Sequence, residues 1–358
     1  MATELDHIRR GYEGKKVLVT GHSGFKGAWL VFALSLAGAQ VYGFSKAPPI
    51  DPRHAFFALR VGDKVRNKGT QWGDVRDYDA LFPMFEPNEK FDFVFHLAAQ
   101  PLVSEARTNS RETFETNIMG TTNIIEANLR SNSESTMILI TSDKAYLNLD
   151  GGRVFREDDE LGGVEPYSGS KAAAELVIAS YSRSYPELHR GGMASARAGN
   201  VFGGGDWSPN RLMPDLVRGA FEEGKVIIRK PEAVRPWTHV LDILEGYLRL
   251  GLSVSDGSVG SGQAWNFASG ETREVREIAG LVASQLGAVV SEVAPGIDNI
   301  SEPLLLQIES QKARNLLAWA PREVLDLRLT ETVGWYKAQA DGEDMHDYTS
   351  QLAWDIFQ

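Results

Sequence analysis

A tyrosine and a lysine four residues apart, Tyr167 and Lys171 in the segment PYSGSK, have the chemistry of an acid/base pair. Residues at this spacing face the same side of a helix, so a helical segment would bring the phenol and the ammonium together. A nearby ammonium favours the phenolate, which should bring the pKa of the tyrosine closer to neutral pH and make it a proton acceptor. The same ammonium could hold a ribose hydroxyl of a cofactor.

Ser142, Asp143 and Lys144 form a second group of reactive side chains, directly after the apolar run MILIT at 137–141. Parallel α/β sheets place their sites at the carboxyl ends of the strands, so a hydroxyl, an acid and an amine would meet a substrate there. Taken alone, the same residues fit a loop in which Ser142 and Asp143 cap a turn and Lys144 is solvated.

Gly21, Gly24 and Gly27 follow the β-branched run KVLVT at 16–20 and precede an apolar, helix-like segment at 28–39. Glycines at this spacing between a strand and a helix allow a tight turn whose backbone N–H groups approach a pyrophosphate at the helix N-terminus. This context predicts a dinucleotide-binding loop rather than an ordinary turn.

The acid that would hold the adenosine ribose, expected roughly 20 residues beyond such a loop, is missing from this sequence. The strand QVYGF at 40–44 is followed instead by Ser45 and Lys46, which leaves the choice between NAD and NADP open. Asp74, in GDVRD, could accept a hydrogen bond from the adenine amino group, or it could be the N-cap of a helix.

These groups require elements to position them, and strand-like runs alternate with helical stretches along the first half of the chain. Such alternation predicts an α/β protein with a doubly wound parallel Rossmann sheet. The strand-like runs lie at 16–20, 40–44, 91–99, 137–141 and 193–198, and the clearest later helices at 116–130 and 170–184.

Beyond about Gly199 the alternation weakens, and Gly, Pro and Trp cluster in GNVFGGGDWSPN and RPWTH. This composition is typical of a smaller lobe that carries substrate contacts on loops. We expect a Rossmann domain at 1–195 and a smaller α/β substrate-binding lobe at 196–358, with the chain interleaving between the two.

Composition excludes several classes of protein and site. The 358 residues carry a net charge of -11, which disfavours nucleic-acid binding, and the absence of cysteine rules out disulfides and zinc-thiolate sites. The apolar stretch at 28–39 is too short to cross a membrane. We expect no metal site, no membrane partner and a cytoplasmic protein.

Seven segments together resemble the extended short-chain dehydrogenases/reductases, and within them the nucleotide-sugar 4,6-dehydratase family. The resemblance covers nearly the whole chain. Dehydratases for dTDP- or GDP-sugars usually carry Asp-Glu where this chain has Asp143-Lys144, and the lysine form resembles the branch that acts on CDP-sugars. The segments are TGHSGFKGAWL (20–30), HLAAQPLV (96–103), TNIMGTTNIIEA (116–127), TSDKAY (141–146), PYSGSKAAAEL (166–176), ARAGNVFGGGDW (196–207) and RPWTHV (235–240).

The resemblance implies conversion of CDP-glucose to CDP-4-keto-6-deoxyglucose and water, a step towards deoxysugars such as those of lipopolysaccharide O-antigen. Tyr167 would take the proton of the sugar 4-hydroxyl while hydride leaves C4 for NAD, and Ser142 would steady that hydroxyl. Lys144 or a neighbour would remove the C5 hydrogen, and Asp143 would protonate the departing 6-hydroxyl before hydride returns to C6. A nucleotide-sugar 4-epimerase and a non-catalytic dinucleotide-binding protein are the alternatives.

The resemblance also assigns binding residues, besides Tyr167 and Lys171. The cofactor residues are Gly21, Gly24, Phe25, Gly27, Ser45, Asp74 and Ala98; the substrate residues are Gln100, Asn200, Trp207, Arg211 and Arg235. For Trp207, packing within the small lobe is an equal alternative, and His96 is expected to be a core residue. The family commonly pairs through two helices, one of them the Tyr-Lys helix, so we expect a homodimer or homotetramer with close approach at Ala172–Ala174.

Overall fold

Alternate residues of the central strands supply two separate apolar cores. Val17 and Val19 enter one core and Leu18 enters the other, and Met137 and Ile138 divide in the same way. Helices cover both faces of the sheet, so successive residues of its central strands are buried on both sides instead of alternating between core and solvent. The computed structural model describes residues 4–85, 90–292 and 303–354.

Thirteen strands occur among the described residues. In chain order they are β1 Lys16–Thr20, β2 Gln40–Phe44, β3 Phe93–His96, β4 Thr136–Ile140, β5 Val154–Phe155, β6 Met193–Ala198, β7 Asn200–Phe202, β8 Lys225–Ile228, β9 Val234–His239, β10 Gln263–Phe267, β11 Thr272–Glu274, β12 Val289–Glu292 and β13 Gln307–Ile308.

The described chain also contains fifteen α-helices. They are α1 Glu4–Tyr12, α2 Phe25–Leu36, α3 Ala55–Ala58, α4 Val61–Lys64, α5 Tyr78–Leu81, α6 Val103–Thr108, α7 Ser110–Phe114, α8 Gly120–Arg130, α9 Pro166–Ser184, α10 Leu212–Glu223, α11 Val240–Ser255, α12 Val275–Leu286, α13 Gln311–Leu317, α14 Leu325–Ala340 and α15 Met345–Trp354. Short 3-10 turns lie at Phe82–Phe85, Asp143–Ala145 and Pro186–His189, and a π-helical turn at Glu115–Met119.

Six strands form one sheet in the order β10-β6-β4-β3-β1-β2, and every neighbouring pair is parallel. The strand order reverses between β1 and β3, which is the point where open α/β sheets bind their ligands. The predicted Rossmann fold is therefore confirmed. Among the described residues, the sheet continues beyond β2 as an isolated parallel bridge between Ser45 and Trp72.

The smaller lobe is built from short strands and helices of the second half of the chain. It contains a three-stranded sheet, β11-β9-β7, and a parallel pair, β12-β8. Part of this second half also completes the large sheet, because β10 pairs with β6 and α11 contacts β4 and β6. The division into 1–195 and 196–358 stays a prediction, and β10 lies on the far side of that boundary from the sheet that it extends.

The predicted strands agree with the structure to within a few residues. The helix predicted at 170–184 begins earlier, at Pro166, which places Tyr167 in its first turn. The helix predicted at 116–130 is interrupted, since Glu115–Met119 is a π-helical turn and the α-helix begins at Gly120. Among the residues described, no helix is both long and apolar enough to span a bilayer.

Candidate active site

The glycine loop joins β1 to α2, and two of its three glycines are required by close contacts. Gly21 has a φ of +72°, and a Cβ there would lie 2.7 Å from the amide nitrogen of Ala98. A Cβ on Gly27 would lie 2.1 Å from the carbonyl oxygen of Gly21. Gly24 is the exposed N-cap of α2. The loop therefore presents backbone N–H groups at a helix N-terminus, next to the end of β3.

The predicted adenosine end carries hydroxyls and paired charges. The Ser45 hydroxyl donates to Ser23 Oγ at 2.9 Å and is buried. Asp74 accepts from the Arg76 guanidinium at 2.7 Å and lies 3.4 Å from Lys46 Nζ, and these cations help hold the pKa of its carboxyl down at about 2. The N-cap interpretation of Asp74 was wrong, because Asp77 caps α5. The adenine contact of Asp74 stays a prediction.

Helix α9 carries the Tyr-Lys pair and has a well-formed start. Glu165 is its N-cap, and the carboxylate accepts from the amide nitrogens of Tyr167 and Ser168 at 2.7 and 2.8 Å. Pro166 occupies the first helical position, which needs no N–H donor. Lys171 is buried one turn later, and its Nζ donates to the carbonyl oxygen of Ile140 at 3.3 Å, at the end of β4.

Burial sets the protonation of both side chains in the ligand-free site. It raises the pKa of Tyr167 to about 12, although a hydrogen bond with Ser142 and the charge of Arg211 act in the opposite direction. It lowers the pKa of Lys171 to about 8, while the carboxylate of Glu175 acts to raise that pKa. The tyrosine thus differs from the expectation of a pKa nearer neutrality, because its loss of solvation outweighs the neighbouring charges.

Asp143 is a buried acid at the carboxyl end of β4. Its Oδ1 accepts from the Ser142 hydroxyl at 3.1 Å, whereas its buried Oδ2 has no hydrogen-bond partner among the described residues. Burial raises the pKa of Asp143 to about 6, against the lowering effects of Lys144, Ser142 and Arg235. A carboxyl group with this pKa can hold a proton near neutral pH and donate it.

A cavity of about 350 Å³ lies between the large sheet and the smaller lobe, and it is lined by all five predicted catalytic residues and three of the five predicted substrate residues. Such a volume is in the range of small-molecule sites. The predicted residues on its walls are Ser142, Asp143, Lys144, Tyr167, Lys171, Asn200, Arg211 and Arg235.

The two predicted arginines reach the cavity from the smaller lobe. Arg211 precedes α10, and its Nη1 lies 3.3 Å from Asp206 Oδ2. Arg235 lies on β9 and is only 5% exposed, with its Nη1 donating to the carbonyl oxygens of Val234 and Leu304 at 3.0 and 2.9 Å. Both guanidinium groups are therefore held in place before any ligand arrives.

Two predicted substrate residues do not line this cavity. Gln100 holds its own loop: its side-chain amide donates to Leu102 O and Thr113 Oγ1 at 3.1 and 2.8 Å. Trp207 packs inside the small lobe, edge-on to Tyr336 with ring centroids 5.3 Å apart and under the guanidinium of Arg53 at 3.9 Å. Of the two interpretations of Trp207, the structure thus favours packing.

Four other residues considered in the sequence are buried in the structure, namely Phe25, His96, Ala172 and Ala174. Phe25 is buried in the core, next to Gly203, so its side chain faces away from the loop that its backbone extends. His96 is confirmed as a core residue, because its Nδ1 lies 2.7 Å from Thr20 Oγ1 and burial lowers its pKa to about 3. Ala172 and Ala174 are buried within the chain, so they do not form an outer face for another copy.

Three polar residues near the site were not predicted from the sequence. Asn117, in the π-helical turn, donates to Ser170 Oγ at 2.8 Å and to the carbonyl oxygen of Gln100 at 3.1 Å. His22 stacks on Trp72, and neither of its buried ring nitrogens has a hydrogen-bond partner among the described residues. Lys26 lines the cavity. A π-helical turn is frequent at functional sites, but no sequence pattern announces one.

Comparison with known proteins agrees with this geometry. The model of the NAD dependent epimerase/dehydratase family matches residues 17–267, which includes the glycine loop, the Tyr-Lys helix and the large sheet. The chain belongs to this family. Members with curated functions include the CDP-glucose 4,6-dehydratase of Salmonella typhimurium, which is 37% identical over 93% of this chain and 94% of its own length.

Solved structures of other proteins share the fold. An epimerase from Methanothermobacter thermautotrophicus superposes with a TM-score of 0.80 at 25% identity, covering 95% of this chain and 97% of the other. A dTDP-glucose 4,6-dehydratase of Streptomyces venezuelae, solved with NAD bound, gives a TM-score of 0.78 at 24% identity, covering 92% and 98% of the two chains. The family's architecture thus extends over nearly the entire chain.

Proposed function

We propose that this protein is a hydro-lyase that converts CDP-glucose into CDP-4-keto-6-deoxyglucose and water, with NAD restored in every turnover. The position of Asp143 carries the proposal, because this buried acid opens into the same cavity as Tyr167 and Lys171. A tyrosine and a lysine suffice to move protons during oxidation of a sugar hydroxyl. Loss of a second hydroxyl as water needs an additional proton donor.

The glycine loop fits a dinucleotide. Any Cβ on Gly21 or Gly27 would collide with backbone atoms, and the space left by these glycines lets a pyrophosphate approach the N-terminus of α2. Gly24, Phe25, Ser45, Asp74 and Ala98 complete the proposed cofactor site around that loop. A nicotinamide dinucleotide held there would supply the two-electron acceptor for the hydride that leaves C4 and later adds to C6. Homologous dehydratases solved with NAD support NAD as that cofactor.

The protein's own groups move the protons. Tyr167 accepts the proton of the 4-hydroxyl, and the hydrogen bond with Ser142 and the charge of Arg211 both favour the phenolate form. The resulting 4-ketone acidifies the C5 hydrogen, which Lys144 removes as a neutral amine. Asp143, with its pKa raised to about 6, then gives its proton to the departing 6-hydroxyl. Lys144 returns its proton to C5 once hydride has added to C6.

The nucleotide diphosphate is proposed to lie against Asn200, Arg211 and Arg235, on the smaller-lobe side of the cavity. Guanidinium groups suit phosphate because they offer several donors in one plane. The Salmonella relative and the Asp143-Lys144 pair support a CDP-sugar as the substrate. The hexose would then reach from the arginines towards Tyr167.

Incubation with CDP-, dTDP-, GDP- and UDP-glucose in the presence of NAD, followed by mass spectrometry, tests the proposal. Loss of one water from CDP-glucose alone is the expected result, and the variant Asp143→Asn should not produce it. An unchanged mass with an altered C4 configuration would instead establish a 4-epimerase. If no sugar reacts while NAD still binds, the protein is a dinucleotide-binding protein and the proposed activity is refuted.

Assembly and location extend the proposal. We propose a homo-oligomer that pairs through the outer face of α7 and α9, where Phe114 and Leu176 are 38% and 61% exposed. Exposed apolar side chains on packed helices are typical of such surfaces. A cytoplasmic site of action suits the nucleotide-sugar substrate, and the product would serve deoxysugar synthesis, including that of lipopolysaccharide O-antigen.

A further inference from the structure

Lys26 is a cation on an otherwise apolar helix. It is the second residue of α2, between Gly24 and Gly27 of the cofactor loop, and almost all the residues that follow it in this helix are buried and apolar. The side chain of Lys26 lines the cavity that also contains Tyr167 and Asp143. Neither the glycine pattern nor the proposed proton transfers require a lysine at this position.

The ammonium of Lys26 lies among charges that do not balance it. Within the described part of the chain, its Nζ has neither a hydrogen bond nor an ion pair. The charged groups that face it are Lys171 from α9, Arg211 from the start of α10, and Asp143 from the end of β4. Burial, followed by the repulsion of Lys171 and Arg211, lowers the pKa of Lys26 to about 7. An isolated ammonium is costly in such a place unless an anion joins it.

The cavity as a whole has the sign that attracts an anion. Its walls carry seven lysines and arginines against three aspartates, although the chain has a net charge of -11. The cations are Lys26, Lys144, Lys171, Arg211, Arg229, Lys230 and Arg235, and the acids are Asp143, Asp206 and Asp215. Concentrating positive charge in a low-dielectric cavity favours a multiply charged anion such as a diphosphate.

We propose that Lys26 is a diphosphate-binding residue that links the cofactor loop to the substrate site. This inference rests on the proposed function for the identity of the ligand. Two diphosphates enter the site, one in the nucleotide sugar and one in the dinucleotide, and both offer the same phosphoryl oxygens. The proximity of Arg211 favours the diphosphate of the nucleotide sugar. On binding, Nζ takes up a proton from solvent and donates a hydrogen bond to a phosphoryl oxygen.

Separate titrations with CDP and with NAD test this role. Calorimetry at pH 8, in buffers of different ionisation enthalpy, counts the protons taken up; the terminal phosphate of CDP, with a pKa of about 6, is already ionised there. In the wild type, CDP binding should take up nearly one proton, since free Lys26 is then mostly neutral. Lys26→Met should remove most of this uptake and leave only the part that Lys171 contributes, whose pKa is about 8. The same variant should weaken CDP binding about tenfold or more, the scale of a lost charge-assisted hydrogen bond.

Matched variants keep the test decisive. Lys68→Met removes another lysine, which is 61% exposed and lies outside the cavity, and it should change neither titration. Lys26→Arg should retain CDP binding, which protects the conclusion if Lys26→Met folds poorly. A loss of NAD affinity with unchanged CDP affinity would support the diphosphate role with the cofactor as its source. Unchanged binding of both ligands to folded Lys26→Met would overturn the inference.

The role of Lys26 and the proposed function can fail separately. If the wild type binds CDP and NAD with proton uptake at Lys26 yet dehydrates no sugar, the proposed function fails and the role of Lys26 stands. If Lys26→Met dehydrates CDP-glucose at the wild-type rate, with unchanged KM values for CDP-glucose and for NAD, the role of Lys26 fails and the proposed function stands.

Discussion

The carboxylate of Glu175 accepts two hydrogen bonds from the guanidinium of Arg197, at 2.9 and 2.8 Å, and both side chains are less than 5% exposed. Glu175 follows Lys171 by one turn of α9, so this pair lies directly behind the Tyr-Lys pair. Ser195 also donates to the same carboxylate, at 2.8 Å. Helix α9 is thus fastened to strand β6 by a fully hydrogen-bonded buried ion pair.

Glu175→Gln should lower both stability and the pKa of Lys171. It leaves Arg197 as an uncompensated buried charge, which costs about 3 kcal/mol in the free energy of unfolding. Urea unfolding measures the loss. The double variant Glu175→Gln/Arg197→Gln should be less destabilised than the sum of the two single variants; additive losses would show that the pair is not energetically coupled.

Asp143→Asn should stabilise the fold in a pH-dependent way. The folded pKa of Asp143, about 6, lies above its ordinary value of 3.8, so the folded state is penalised once the unfolded carboxyl ionises. The penalty is absent below pH 3.8, grows between the two values, and reaches on the order of 3 kcal/mol above pH 6. The free energies of unfolding of the wild type and of Asp143→Asn, measured with urea at pH 4 and pH 8, test this expectation. A stability difference independent of pH would contradict the raised pKa.

Lys144→Met should separate oxidation at C4 from elimination across C5 and C6. Lys144 follows Asp143 in the turn, lines the cavity and contributes its backbone N–H to Ser142 Oγ at 3.2 Å. With CDP-glucose and NAD in deuterated solvent, the variant should form reduced cofactor but neither exchange the C5 hydrogen nor lose water. Lys225→Met, an exposed lysine on β8, is the control. If Lys144→Met turned over CDP-glucose at the wild-type rate, Lys144 would not be the base that removes the C5 hydrogen.

Gly27→Ala and Gly24→Ala should differ sharply. The added Cβ would lie 2.1 Å from Gly21 O in the first case and 3.4 Å in the second, so only Gly27→Ala forces the loop to move. A shifted loop no longer presents its N–H groups to the pyrophosphate. We therefore expect Gly27→Ala to weaken NAD binding by about tenfold or more. Fluorescence titration with NADH measures this. Equal affinities in both variants would show that the loop tolerates the collision.

Sequence patterns predicted the elements well because each was set by local chemistry. The run Lys16–Thr20 is β-branched and was predicted with its bounds, whereas the start of α9 at Pro166, which Glu165 caps, was placed four residues too late. The carboxyl ends of β1 and β4 had to meet, since parallel strands of one sheet end at the same edge. The group at Ser142, Asp143 and Lys144 was therefore predictable from where two strands end.

Side-chain direction could not be obtained in this way. Gln100 lies in the expected loop, but its side-chain amide donates to Leu102 and Thr113. The local backbone geometry determines these partners, and the sequence pattern does not reveal it. The packing of the Trp207 ring is determined by Tyr336, which is more than a hundred residues away in the sequence. The pKa of Lys26 is lowered by Lys171 and Arg211, which are far from it in the sequence. Contacts distant in sequence decided each case.

The placement of β10 on the edge of the large sheet bears on how the chain is made. Strand β6 is buried along its whole length, yet one of its two neighbours, β10, is synthesised only after residues 199–262. At about 5–20 residues per second, a ribosome needs roughly 3–13 s to cross that interval. Throughout it, β6 can pair only with β4, and its other side is an open sheet edge of the kind that can pair with a second chain and aggregate.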